Sequence, residues 1–254
     1  MKNQIQTYLK QLEKDYNIKI LFACEAGSRA WGVASPNSDH NIRIIYIRPL
    51  EWYLSIKDKP DYFTISNNDQ IDIEAWDFKK ALSLLSQSNT ILIEWLQSPR
   101  INIGCPAFFN QISDLSKKYF LPRKSIYHYL GLSNALIKKH FEKETIPIKK
   151  YFMIMRSMLA SLWIKTHQSP VPVAFSDLLS VVEDQPKTLL AIHQLMRLKK
   201  ETKEGKPIKR IDVLDQFIFD KRKACSIYAE SLPKQQLNDL ENIDTFFRGV
   251  LIKS

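Results

Sequence analysis

The sequence is poor in glycine, poor in cysteine and without long apolar runs. Its 6 glycines in 254 residues amount to about 2%, against a usual ~7%. That excludes collagen-like and Gly-rich low-complexity chains. The three cysteines, Cys24, Cys105 and Cys225, are odd in number and far apart. They form neither a disulfide framework nor a CxxC metal site, which points to a reducing compartment, the cytoplasm. No stretch reaches the ~18 apolar residues of a membrane span. The opening MKNQIQTYLKQLEKDY is polar and amphipathic, and it lacks the apolar core of a secretory signal. The histidines, His40, His128, His140, His167 and His193, show no metal-ligand spacing and read as structural or surface residues.

What is present describes a folded chain. Hydrophobic residues make up 44% and charged residues 25%, close to the globular average. The length allows one large domain or two small ones. The net charge of +10 suits a polyanionic partner such as a nucleoside triphosphate or RNA; a lysine-rich proteome gives the same excess.

Periodicity divides the chain in two. Ile5, Tyr8, Leu9 and Leu12 recur at helical spacing within 4–15, which predicts an amphipathic helix. Residues 18–24 form an apolar run of strand length, and 41–47 predict a second strand closed by Pro49. Segments 61–66 and 70–76 flank the polar Asn67-Asn68-Asp69 and predict a hairpin. Asp77 is placed to cap a helix. Beyond it the spacing predicts helices over 78–87, 91–97, 107–118, 124–143, 148–167, 187–200, 212–231 and 235–252, with a charged loop at 199–207. The expected class is α+β: a small mixed sheet in a domain over 1–100, followed by a helical bundle over 101–254.

The informative stretch runs from Gly27 to Arg43. A strand leads into Gly27-Ser28 and a short helical segment, where free backbone N–H groups and a hydroxyl suit a phosphate. An ordinary strand-to-helix turn has the same pattern. Asp39 and Asn41 share one face at a strand start, and Asp72 and Glu74 share one face of another. If those strands are neighbours, Asp39, Asn41 and Asp72 (or Glu74) converge as oxygen ligands beside the turn, a magnesium arrangement. Asp72 and Glu74 also fit the solvated face of an edge strand. Arg43 shares the face of Asp39 and Asn41, so it serves phosphate or a carboxylate equally well. Lys149, Arg156 and Trp163 recur every seven residues on one helix face, as a basic wall or a solvated face. Trp31, Trp76 and Trp95 read as core.

GSRAWG-x-ASP-x-SD-x-x-IR resembles the Gly-Ser and Asp-x-Asp signature of DNA polymerase beta superfamily nucleotidyltransferases. More narrowly, the chain resembles the predicted bacterial and phage nucleotidyltransferases associated with RNA ligase. Residues 71–77, Lys80-Ala81-Leu82, Ser88-Asn89 and Glu94–Pro99 are similar to that family's downstream block. Lys149–Phe152, Arg156, Leu159-Ala160 and Trp163-Ile164 are similar to its helical half. The resemblance implies a polymerase-beta-like fold and transfer of a nucleoside monophosphate from NTP to a hydroxyl on an RNA or tRNA end, a protein or a small molecule. It implies two Mg²⁺ (or Mn²⁺) ions held by Asp39, the residue at 41 and Asp72, and Glu74, on the face of Asp72, is a further metal-ligand candidate. It also implies phosphate contacts from Gly27 and Ser28; by charge and position Arg29 and Arg43 are further phosphate candidates, and Lys149 and Arg156 candidates for a basic wall around triphosphate or RNA.

The departure is at 41, where the pattern expects Asp and this chain has Asn41; Asn37 and His40 likewise stand where Asp and Tyr are usual. An amide is neutral and a weaker ligand for a hard dication. Three readings follow: a natural degenerate enzyme, an inactivating substitution, or an active enzyme holding its metals differently with help from Glu74. In the first two, the chain serves as a nucleotide- or RNA-binding module.

Overall fold

The computed structural model describes residues 2–35, 37–66, 71–201, 206–235 and 240–252. In chain order these form α1 (Lys2–Tyr16), β1 (Lys19–Ala26), α2 (Gly27–Ala30), β2 (His40–Ile47), α3 (Leu50–Tyr53), β3 (Tyr62–Ser66) and β4 (Ile71–Asp77). There follow α4 (Phe78–Ser86), α5 (Thr90–Leu96), β5 (Ile101–Gly104), α6 (Pro106–Lys118), α7 (Pro122–His140), β6 (Thr145–Pro147) and α8 (Ile148–His167). A 3₁₀ turn (Asp177–Val182) then leads to α9 (Pro186–Glu201), β7 (Pro207–Lys209), α10 (Asp212–Ser231) and α11 (Glu241–Ile252).

Two compact units interleave along the chain. One comprises Met1–Gly27, Asp39–Tyr119 and Gln236–Ser254; the other comprises Ser28–Ser38 and Phe120–Gln235.

The first unit is built on a mixed sheet of order β3-β4-β2-β1-β5. Strands β2 and β4 run parallel, and every other pairing is antiparallel. A parallel pair needs a crossover, and the segment holding α3 and β3 supplies it. One sheet face buries Ile42, Ile44, Ile73 and Ala75 under Ile5, Leu9 and Leu12 of α1, so the helical spacing read from residues 5–12 is the stripe that covers the sheet. Asp77 caps α4 as expected: its carboxylate accepts from the Lys79 N–H at 2.8 Å. Phe246 and Phe247 of α11 pack on Phe78, with ring centroids 5.4 and 5.7 Å away. Phe246 also meets Phe108.

The second unit is helical. Its core gathers Ile126, Tyr129 and Leu130 of α7, Phe152, Met155 and Leu159 of α8, and Phe217 and Ile218 of α10, together with Val33. The Trp31 carbonyl accepts from the Phe175 N–H at 3.0 Å.

The structure corrects several boundaries. Helix α7 ends at His140 rather than 143, because the chain turns into β6, which pairs with β7. The Arg210 guanidinium binds the Phe141 carbonyl left open at that end. Pro106 and Pro122 are the first residues of α6 and α7, so both helices begin earlier than their apolar spacing suggests. Lys199–Glu201, assigned to a loop, complete α9, and residue 207 onward pairs in β7; residues 202–205 of that loop lie outside the described residues. The turn 67–70 of the expected hairpin also lies outside them, although its arms β3 and β4 pair antiparallel.

Candidate functional site

Strands β2 and β4 are neighbours, and their register sets Asn41 beside Asp72 and Arg43 beside Glu74. The four side chains therefore share one face, opposite the α1 layer. Strand β1 ends at the same place, where Ala26 pairs with Asn41. The next residue, Gly27, has φ +66°, and a Cβ there would lie 3.2 Å from the Asn41 amide nitrogen. Both the positive φ and this close approach require glycine. Asn41 Nδ2 donates to the Asp39 carbonyl at 3.4 Å. Asp39 is half-buried, immediately before β2.

Arg43 lies at the centre of this face. It donates from both terminal nitrogens to Asp72 Oδ2, at 3.1 and 3.2 Å. It also donates to Asn41 Oδ1 at 3.3 Å, and its Nε lies 3.6 Å from Glu74 Oε2. The Asp72 and Ile42 carbonyls accept from it too, at 3.3 and 3.1 Å. In this arrangement the Arg43 guanidinium is engaged with the carboxylates of Asp72 and Glu74. Glu74 is held from its other side by the Trp76 indole N–H at 3.0 Å, and Trp76 packs on Trp95 with centroids 3.9 Å apart. Cys24 pairs with Arg43 across β1 and β2; burial pushes its thiol up to about 12, with the Arg43 charge opposing.

The reverse face carries a second ion cluster that the sequence reading missed. Glu25 is buried, and its carboxylate meets His40 Nδ1 at 2.6 Å and Arg100 at 3.5 Å. The Ser98 hydroxyl donates to the Glu25 carbonyl at 2.6 Å. His40 thus points away from Asn41, as strand alternation requires. The available signal was Glu25 itself, a charged residue directly after the apolar run 18–24 and followed by Ala26.

The remaining expected residues have other partners. Ser28 opens the second unit along the chain. Arg29 donates twice to the Ser38 carbonyl, at 3.1 and 2.7 Å, bracing the loop before β2. Lys149 is half-buried in the first turn of α8. Arg156 is 4% exposed, with its guanidinium 4.5 Å from the Trp31 ring centre.

Residues 1–249 match RlaP, the RNA repair pathway DNA polymerase beta family. The chain belongs to this family. Over 218 residues it is 35% identical to an uncharacterized protein, YcgL, of Bacillus subtilis (strain 168), a match that spans 86% of this chain and 84% of that one. Among solved structures it aligns with a nucleotidyltransferase-like protein from Exiguobacterium sibiricum 255-15 at TM-score 0.32 and 10% identity, over 98% of this chain and 80% of that one. No helix among the described residues is long and apolar enough to cross a membrane.

Nucleotidyltransferases of the polymerase beta family generally use divalent metals. The donors of this RNA repair pathway family member do not fit a two-ion centre as they are arranged. Among the described residues no group of three or more His, Cys, Asp and Glu side chains is placed to hold a metal. The physical reason lies in the geometry: the Arg43 guanidinium is bound to the Asp72 and Asn41 oxygens, and Asn41 brings no charge.

Proposed function

We propose that this RNA repair pathway family member binds a nucleoside triphosphate at the Gly27-Ser28 turn. Its transfer of the nucleoside monophosphate to a hydroxyl acceptor, on an RNA end, a protein or a small molecule, is impaired by Asn41. The observation that supports this reading is the β2–β4 register, which sets Asn41 and Asp72 side by side next to Gly27. The turn offers backbone N–H groups to the phosphates, while Asp39 and Asp72 keep carboxylates of the family pattern and Glu74 adds another on the same face. The cytoplasm is the proposed setting, with Cys24, Cys105 and Cys225 as free thiols.

The ion pair between Arg43 and Asp72 favours a second reading, a catalytically silent module that binds nucleotide or RNA. One experiment separates the two. The chain and an Asn41→Asp variant are incubated with α-labelled NTPs, Mg²⁺ or Mn²⁺, and bulk tRNA or protein. The impaired-enzyme reading expects little label transferred by the chain itself and at least ~10-fold more by the variant, a transition-state gain of ~1.4 kcal/mol. Nucleotide binding with no transfer by either protein selects the silent module. Absence of NTP binding ends the enzyme reading and the nucleotide form of the module, and leaves only an RNA-binding module, which a tRNA binding titration tests.

A further inference from the structure

The Arg43 guanidinium has five N–H donors, and the structure directs them at the oxygens of Ile42, Asn41, Asp72 and Glu74. NH1 serves Ile42 O and Asp72, NH2 serves Asn41 and Asp72, and Nε faces Glu74. Its side chain is only 14% exposed, whereas Asp72 and Glu74 are 44% and 36% exposed. The cation is thus sunk into the face, with the carboxylates around it. A dication at the same Asp72 and Asn41 oxygens meets a like charge within bonding range and finds one ligand that is neutral.

We infer that Arg43 is the resident cation of this site: it takes toward Asn41 and Asp72 the position of a divalent ion, and the free chain holds these side chains together without one. The inference explains two features at once. Asn41 in place of a carboxylate leaves Arg43 with fewer negative neighbours, which a single positive charge can balance and a pair of dications cannot. Both terminal nitrogens of Arg43 are hydrogen-bonded and its Nε faces Glu74, so the phosphates of a nucleotide rely on the Gly27-Ser28 turn. This last consequence rests on the nucleotide reading above; the exclusion of metal does not.

Mn²⁺ is the probe for exclusion, with its free signal followed by electron paramagnetic resonance on the full chain. Expected are no Mn²⁺ site in the chain itself and a new site in an Asn41→Asp, Arg43→Ala double variant, lost again when Asp72→Asn is added. A Mn²⁺ site in the unaltered chain that Asp72→Asn removes overturns the inference. A double variant that retains native circular dichroism yet binds no Mn²⁺ also overturns it, because Arg43 then displaces nothing. A second measurement is calorimetric titration with ATP, GTP, CTP and UTP in EDTA and in Mg²⁺. Affinities within ~3-fold of each other in the two buffers support a resident Arg43. Binding that requires Mg²⁺ overturns the inference and leaves the nucleotide reading standing. Binding in neither buffer ends the nucleotide reading, and the Mn²⁺ titrations still decide the role of Arg43.

Discussion

The two faces of strand β2 carry the same chemistry, carboxylate against cation, at different depths. On one face Arg43 gathers Asp72 and Glu74, both of which reach solvent. On the other, Glu25 lies with its side chain 8% exposed between His40 and Arg100. A carboxylate in water trades its partner for hydration at little cost, whereas one removed from water depends on its partners. The open face is therefore suited to exchange its ligands, and the closed face holds the end of β1, and with it Gly27, in place.

The largest expected effect tests that asymmetry. Glu25→Ala strips His40 and Arg100 of their acceptor and should cost about 2–3 kcal/mol in urea denaturation, while Asp72→Ala should cost at most about 1 kcal/mol. Equal losses would break the comparison. Next comes the turn the closed face supports. Gly27→Val forces a β-branched residue to φ +66° against the Asn41 amide; it should cost about 1–3 kcal/mol and abolish nucleotide binding in the same calorimetric assay.

A smaller effect concerns the far end of β4. Burial holds the Asp77 carboxyl above its ordinary 3.8, against the hydrogen bonds from Tyr53 and Lys79. The folded chain therefore keeps this proton where the unfolded chain has lost it, and stability falls as pH rises through that window, from about 3.8 upward. Asp77→Asn retains a capping oxygen and should flatten the pH dependence of the urea midpoint above pH 4, with little loss at pH 7. An unchanged slope would show that Asp77 is not the group responsible. The smallest effect concerns the burial of the cysteines. Cys24, buried beside Arg43, is held up to about 12 and Cys225 to about 11 by burial, while two backbone N–H groups lower exposed Cys105. Iodoacetamide followed by mass spectrometry should label Cys105 first and Cys24 last.

Much of this was legible in the sequence because local rules carried it. Asp77 before Phe78-Lys79 marked a cap, residues 5–12 marked a helix stripe, and strand alternation put Asp39 with Asn41 and Asp72 with Glu74. The convergence of Asn41 with Asp72 needed one nonlocal assumption, that β2 and β4 adjoin, and the register bears that assumption out. The choice of partner for Arg43 was not legible, because its long side chain reaches phosphate or carboxylate from the same backbone position. Strand β5 was missed for a different reason: Ile101–Gly104 is too short to show alternation, and it lies just past the boundary drawn at residue 100, yet it pairs with β1. Arg29 and Arg156 stood out by charge alone, and their contacts in the fold, a loop carbonyl for one and the Trp31 ring for the other, were not encoded in their spacing.

The placement of α11 bears on how the protein matures at the ribosome. Phe246 and Phe247 supply a lid for Phe78 and Phe108, which precede them by well over a hundred positions. Until the last segment is synthesised, those two rings have each other but lack the cover of Phe246 and Phe247. The sheet-bearing unit completes its packing only after the intervening helical unit has been translated. It thus depends on late, long-range closure, the step during which unfinished chains are most prone to stick to one another.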